Sequence, residues 1–86
     1  MFARITVGDY ATYRATFDSL ENVRRAASAT AQSVFQSADD PNDITVELDF
    51  PTVEAAKAFA SSDALREAMK TAGVQGPPTI WFANET

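Results

Sequence analysis

The sequence contains no cysteine and no histidine among its 86 residues. Disulfides, cysteine-based zinc sites and nucleophilic systems that need an imidazole base are therefore excluded. The chain also lacks low-complexity and linker-like segments, so one domain over residues 1–86 is expected. A chain this short buries a modest share of its surface, and we expect a second copy of the chain to supply the missing support.

Positive charge is also scarce, because seven Lys and Arg are outnumbered by twelve Asp and Glu, for a net charge of −5. Such a chain repels phosphate backbones and anionic lipid, so neither nucleic acid nor a membrane is an expected partner. No apolar run approaches the roughly 20 residues that a membrane span requires, and no signal-peptide pattern is present. The expected location is the cytoplasm.

Alternation of apolar and polar residues predicts the strands. It is clear over Phe2–Val7, Ile44–Phe50 and Thr79–Ala83, and weaker over Thr30–Ser37. Residues 38–43 are dense in turn formers, so the second and third strands should form a hairpin. The aspartates of this turn lack the alternating ligands and the glutamate of a calcium loop, and we expect no metal site there.

Three- and four-residue spacings of apolar side chains predict helices after the first and third strands. One helix begins at an Asp9 cap and continues to about Ser28. A second begins near Val53, after Pro51 and Thr52 end the strand, and the chain is capped again at residues 61–63. A last helix covers Ala64–Ala72 and ends at a glycine.

This order, βαββαβ, is the ferredoxin-like α+β pattern. Right-handed crossovers place the first and third strands in the centre of an antiparallel four-stranded sheet, with the helices on one face. The apolar residues expected beneath the helices are Ile5, Val7, Ile44, Val46, Leu48, Phe50, Ile80 and Phe82.

The opposite face of the predicted sheet, if the strands align without a bulge, carries Phe2, Arg4, Thr6, Phe35, Thr45, Glu47, Asp49, Thr79 and Trp81. Three large aromatic rings are more apolar surface than such a sheet usually exposes, so we predict a homodimer that pairs its sheets. The candidate interface residues are Phe2, Arg4, Phe35, Glu47 and Trp81. Arg4 and Glu47, on adjacent strands, could form a cross-strand ion pair at the surface or within the interface.

Three stretches resemble the dimeric α/β barrel superfamily, specifically small cyclase-like proteins related to antibiotic biosynthesis monooxygenases (ABM). They are Gly8-Asp9-Tyr10 through Phe17-Asp18, Val34-Phe35 through Asn42-Asp43, and Leu65-Arg66-Glu67-Ala68-Met69 through Gly73-Val74; Gly76-Pro77-Pro78 also fits. The resemblance covers nearly the whole chain and implies homodimers paired through their sheets, with a pocket for hydrophobic substrates and no cofactor. Cyclising and haem-degrading relatives typically rely on a histidine, which this sequence lacks.

Catalytic candidates are Tyr13, Glu47 and Arg4. Tyr13, on the inward helix face, could hold a ligand carbonyl or act as an acid, or could be a plain core residue. Glu47, between two apolar residues, could be partly desolvated and serve as a base, or lie in solvent. Trp81 could stack on a substrate or anchor the interface. The predicted ligand-binding residues are Tyr10, Tyr13, Phe17, Phe59, Leu65 and Met69.

Two functions are therefore open. The first is a homodimeric, cofactor-independent monooxygenase or cyclase-like protein that binds a hydrophobic, aromatic molecule between helices and sheet. It requires an internal cavity lined by Tyr13, Phe17, Phe59, Leu65 and Met69. The alternative is a non-catalytic dimeric module that binds a metabolite or assists other enzymes.

Overall fold

A computed structural model describes residues 1–86. The elements are β1 (Phe2–Val7), α1 (Tyr10–Ser19), α2 (Glu21–Ala26), β2 (Ala31–Gln36), β3 (Asp43–Asp49), α3 (Val53–Ala60), α4 (Asp63–Thr71) and β4 (Val74–Trp81). The strands form one antiparallel sheet in the order β2-β3-β1-β4. The predicted ferredoxin-like α+β fold is confirmed, with β1 and β3 in the centre. None of the helices combines the length and apolarity that crossing a bilayer requires.

The core lies between one face of the sheet and the helices. Alternate residues of the central strands are buried, with Ala3 opposite Val46 and Ile5 opposite Ile44. The helices contribute Tyr13, Phe17, Ala56 and Phe59, and Ala72 closes the core after α4. The period-two pattern that predicted β1 and β3 therefore reports the buried face of the sheet.

The predicted single helix over residues 9–28 is wrong in one respect, because it is divided at Leu20. The backbone of Leu20 leaves helical geometry, at φ −101° and ψ 17°. Just before it, the Ser19 hydroxyl donates to the Thr16 carbonyl at 2.8 Å, a local bond that competes with the helical ladder. The predicted cap is present, since the Asp9 carboxylate accepts from the Thr12 amide at 2.9 Å.

The last strand begins five residues earlier than the predicted Thr79–Ala83, at Val74, and ends at Trp81. Phe82 lies beyond the strand and is 36% exposed, so the prediction that it is a core residue is wrong. Its ring still lies on the α3 side of the sheet, 6.0 Å from Nζ of Lys57. Two prolines fall inside the strand. They are tolerated because β4 is an edge strand, where a missing N–H need not break a ladder on both sides.

A bulge in β4 contradicts the assumption of bulge-free alignment. Arg4 pairs with Thr79 whereas Thr6 pairs with Gln75, so β4 contains two more residues than β1 over this interval. Gly76, at φ +71°, supplies the left-handed turn that the extra residues need. Because the offset is two residues, the alternation of faces along β4 is preserved.

Candidate functional site

A cavity of about 70 Å³ lies between the helices and the sheet. A single water molecule needs only about 10–15 Å³ of such space, so the cavity has room for several waters or a small aromatic molecule. Its floor is formed by the central strands and its walls by α1, α2, α3 and α4. The lining residues are Met1, Ala3, Ile5, Tyr13, Thr16, Phe17, Leu20, Val23, Arg24, Val46, Leu48, Phe59, Leu65, Ala68, Met69 and Ala72.

One wall of the cavity is formed by α4. Leu65, Ala68 and Met69 share one side of α4, as expected of an amphipathic helix. Such a stripe is normally buried in the core, yet no residue of α4 is fully buried. These side chains instead form one wall of the cavity.

Five of the six predicted ligand-binding residues line this one cavity: Tyr13, Phe17, Phe59, Leu65 and Met69. The cavity required by the first functional hypothesis is therefore present. Tyr10 is outside the lining and packs at the edge of the core, with its ring 6.5 Å from that of Tyr13. Tyr13 in turn packs against Phe17, at 6.0 Å between ring centroids.

Tyr13 is buried, with 5% of its surface exposed. Burial raises the pKa of Tyr13 to about 12, although the positive charges of Arg24 and Arg14 act in the opposite direction. The phenol is therefore neutral at physiological pH. It can donate a hydrogen bond to a ligand oxygen, but it is poorly suited to give up its proton.

Arg24 is the only buried charged side chain, with 6% of its surface exposed. Its Nε donates to Gln32 Oε1 at 2.6 Å, and its Nη1 donates to the Phe17 carbonyl at 2.7 Å. The guanidinium lies 3.7 Å from the centroid of the Phe17 ring. Nη2 is buried and has no hydrogen-bond partner. Burial lowers the pKa of Arg24, but a guanidinium stays protonated in proteins.

No protein-family model matches the sequence, and no curated protein is significantly similar to it. Solved structures do match. A Bordetella bronchiseptica protein assigned to the antibiotic biosynthesis monooxygenases superposes with a TM-score of 0.85 at 21% identity, covering 99% of this chain and 93% of that one. A second, described as an antibiotic biosynthesis monooxygenase, gives 0.71 at 13% identity, covering 99% and 95%. A third, from Chloroflexus aurantiacus and assigned to the same group, gives 0.59 at 14% identity, covering 99% and 93%.

The chain has the ABM fold. The resemblance inferred from the sequence is thus confirmed at the level of the fold. Identities of 13–21% establish the fold alone, so an activity must be argued from the site.

The outer face of the ABM-fold sheet lies on the side away from the cavity. Phe2 pairs with both Glu47 and Trp81, so these three side chains share that face. The Phe2 and Trp81 rings stack nearly parallel, 5.4 Å apart. Phe35 and Trp81 are 52% and 41% exposed. The structure therefore brings the predicted interface residues to one surface, and it separates Arg4 and Glu47 from Tyr13.

The predicted ion pair between Arg4 and Glu47 is wrong, because Arg4 pairs with Asp43. Its Nε and Nη2 donate to the two carboxylate oxygens of Asp43 at 3.0 and 2.6 Å. This bidentate arrangement uses the planar fork of the guanidinium. The bond to Arg4 lowers the pKa of Asp43. The chain contains no cluster of three or more acidic side chains placed to hold a metal ion.

Sequence reasoning missed Arg24. The residue follows Phe17 by seven positions and Leu20 by four, so helical spacing places it on the inward face with Tyr13. A charged residue at an inward helical position was the available signal. The exposed ion pairs Arg14–Asp18 and Arg25–Glu21 lie on the outward face of the same segment.

Proposed function

We propose that this ABM-fold protein is a homodimer that binds a small aromatic molecule in the cavity between helices and sheet and oxygenates it without a cofactor. The observation that carries the proposal is the cavity itself. Its lining is almost wholly apolar, with one phenol, one guanidinium and the Thr16 hydroxyl among the hydrophobic side chains. Ligand sites typically combine an apolar surface with a few such polar groups.

The chemistry would rest on a substrate that is reactive by itself. An electron-rich phenol such as 1-naphthol can give 1,4-naphthoquinone and one water with one O2, the substrate carbon supplying all four electrons. One oxygen atom forms the new carbonyl and the other leaves as water. The protein would enclose the ring, exclude water and hold the phenol oxygen near the Tyr13 hydroxyl. The names of the structural neighbours, which refer to monooxygenases, support this reaction class.

A specific observation favours a second candidate, the non-catalytic binding module. Tyr13 and Arg24 have the only titratable side chains in the lining, and neither exchanges a proton readily near neutral pH. Glu47 and Arg4, the other catalytic candidates, lie on the far side of the sheet. A substrate that does not react unaided with O2 would therefore only be bound.

Pairing through the outer face of the sheet is supported by its exposed aromatic rings. Trp81, Phe2 and Phe35 lie on a face that no other element of the chain covers. A second copy presenting the same face would bury these rings, as sheets do when they pack face to face.

The first experiment is native mass spectrometry of the protein purified without added ligand, with two matched variants. Ala68→Leu places a larger side chain in the cavity wall, whereas Ala64→Leu makes the same change on the exposed side of α4. We expect wild type and Ala64→Leu to bind the same small mass, and Ala68→Leu to lose it. Equal retention in all three would place the ligand outside the cavity.

Catalysis is then tested by O2 uptake with 1-naphthol as the probe. A monooxygenase should consume O2 and form 1,4-naphthoquinone in wild type and Ala64→Leu, and much less in Ala68→Leu. Binding of 1-naphthol with no O2 uptake above background would reject the enzyme and leave the binding module.

A further inference from the structure

We propose that the ligand of the cavity is an organic anion, with a carboxylate, phenolate or enolate oxygen that accepts from Nη2 of Arg24. The inference rests on the proposed function in one respect, namely that the cavity binds a ligand. It adds the chemical class of that ligand and the residue that selects it.

The hydrogen bonds of Arg24 support an anionic ligand. Arginine is rarely buried without a carboxylate partner, because a charge removed from water needs compensation. Arg24 makes no salt bridge, and its bonds to Gln32 and Phe17 are to neutral oxygens. Nη2 is buried and has no acceptor at all. The nitrogen left unpaired therefore belongs to a group that lines the cavity.

The nearest acids of the chain are already engaged elsewhere. Asp18 pairs with Arg14 at 3.2 Å, and Glu21 pairs with Arg25 at 3.1 Å, both on the exposed side of the helices. No acidic side chain lines the cavity. Glu21 and Asp18 therefore act on Arg24 only at longer range, and no acid of the chain contacts its guanidinium. A direct counter-charge is left for a bound anion to supply.

The guanidinium is also held in position before any ligand binds. Gln32 fixes it from β2 and the Phe17 carbonyl from α1, while the ring of Phe17 stacks beneath it. A donor that is already held in place loses little freedom when an anion binds to it. Because Nη2 is fully covered, the anion displaces the side chains that cover this nitrogen. The neutral Tyr13 phenol in the same lining offers a second donor to the anionic oxygen.

This assignment also bears on the proposed oxygenation. The ionised form of a phenol transfers an electron to O2 more readily than the neutral form. A cation that favours the phenolate would raise the fraction of bound substrate in the reactive form. Arg24 would act by binding the substrate oxygen, with no proton transfer of its own.

The test compares benzoate with nitrobenzene, which has nearly the same shape and no charge. Methyl signals of the cavity residues are followed by NMR while each probe is titrated into the wild-type protein. A charge-assisted bond to Nη2 should make benzoate bind at least about tenfold more tightly than nitrobenzene. Equal affinities would overturn the assignment while leaving the cavity as a binding site.

Arg24→Met keeps the length and apolar stem of the side chain but removes the donors. Arg66→Met, on the exposed side of α4, makes the same change away from the cavity lining and is the matched control. The preference for benzoate should disappear in Arg24→Met and persist in Arg66→Met, whereas nitrobenzene should bind all three proteins alike. If Arg24→Met does not fold, Arg24→Lys serves, with a preference reduced but not abolished. An undiminished preference in the Arg24 variant would overturn the inference, because Nη2 would not be the group that selects the anion. Failure of both probes to bind the wild-type protein would reject the proposed function together with this inference.

Discussion

At the scale of single residues, two opposing effects act on the pKa of Tyr13. Burial favours its neutral phenol, whereas the nearby cations favour the phenolate. Burial is the larger effect, and the pKa of Tyr13 is raised to about 12. The side chain therefore remains a neutral phenol throughout the physiological range.

The titration of Tyr13 can be read directly in Tyr10→Phe, because the chain has only two tyrosines. We expect the tyrosinate absorbance of this variant to appear with a midpoint near pH 12. A midpoint near the ordinary tyrosine value of about 10 would contradict the burial of Tyr13. The unfolded variant in denaturant provides the reference titration.

The raised pKa of Tyr13 also predicts a dependence of stability on pH. The folded protein keeps the Tyr13 proton at pH values where the unfolded chain has lost it, so the contribution is present below about pH 10 and is lost as the pH rises to about 12. The loss should be on the order of 2 kcal/mol in the free energy of unfolding. Denaturant unfolding of wild type and Tyr13→Phe across this interval should show the larger decline in wild type.

Asp43 is predicted to titrate below the usual aspartate range because Arg4 donates to both of its oxygens. Its contribution to stability is present above the unfolded pKa of about 4 and is lost as the pH falls through the lowered folded value. In Arg4→Gln the carboxyl NMR titration of Asp43 should move up toward the ordinary value. Arg66→Gln breaks only the pair with Asp63 and should leave the titration of Asp43 unchanged. An Asp43 titration insensitive to Arg4 would show that the ion pair is absent in solution.

At the scale of secondary-structure elements, Ser62 connects α3 to α4. Its hydroxyl accepts from the Leu65 amide at 3.1 Å and donates to the Phe59 carbonyl at 2.7 Å. Ser62→Ala should lower the free energy of unfolding by about 1 kcal/mol, the usual cost of a lost N-cap. In the neighbouring Ser61→Ala, which removes only an exposed bond to the Lys57 carbonyl, the change should stay within about 0.5 kcal/mol. Urea unfolding measures both, and equal losses would mean that the cap is not formed.

The elements differ in how well the sequence predicts them, for physical reasons. The central strand β3 alternates because one of its faces is covered, and its bounds were predicted to within one residue. The start of β4 was missed because prolines normally argue against a strand, and only the edge position and the bulge permit them here. The break at Leu20 follows from a hydroxyl bond within the helix that apolar spacing does not reveal.

The candidate site was predicted in part, and the part that was missed follows a pattern. Apolar spacing identified Tyr13, Phe17, Phe59, Leu65 and Met69, because a cavity wall and a packed core have the same hydrophobic periodicity. That shared pattern is why the sequence could not say whether a cavity exists. Arg24 was missed because an arginine is seldom buried, so the residue type gives no sign of an inward position. It lies inward on the same helical spacing, and it is the residue that gives the cavity a chemical preference.

At the scale of the whole molecule, the sheet has two faces of opposite character. One is covered by four helices around the cavity, and the other exposes aromatic rings beside the Arg4–Asp43 ion pair. Exposed rings of this size on a small acidic protein favour association with a second apolar surface. Arg4 of this ion pair is mostly exposed, whereas Asp43 is partly covered. A solvated pair of this kind would set the orientation of a partner more than its affinity.

Sheet pairing predicts that one negative charge on the outer face should dissociate the dimer. Trp81→Glu removes an anchor and buries a carboxylate in the interface, so sedimentation should show monomer at concentrations where wild type is dimeric. Ala11→Asp adds the same charge in the first turn of α1, on the helical side of the molecule, and should remain dimeric. A monomeric wild type, or a dimer that survives Trp81→Glu with unchanged affinity, would reject pairing through this face. Because the cavity lies on the other side of the sheet, a monomeric Trp81→Glu that still binds benzoate would show that each copy has a complete site.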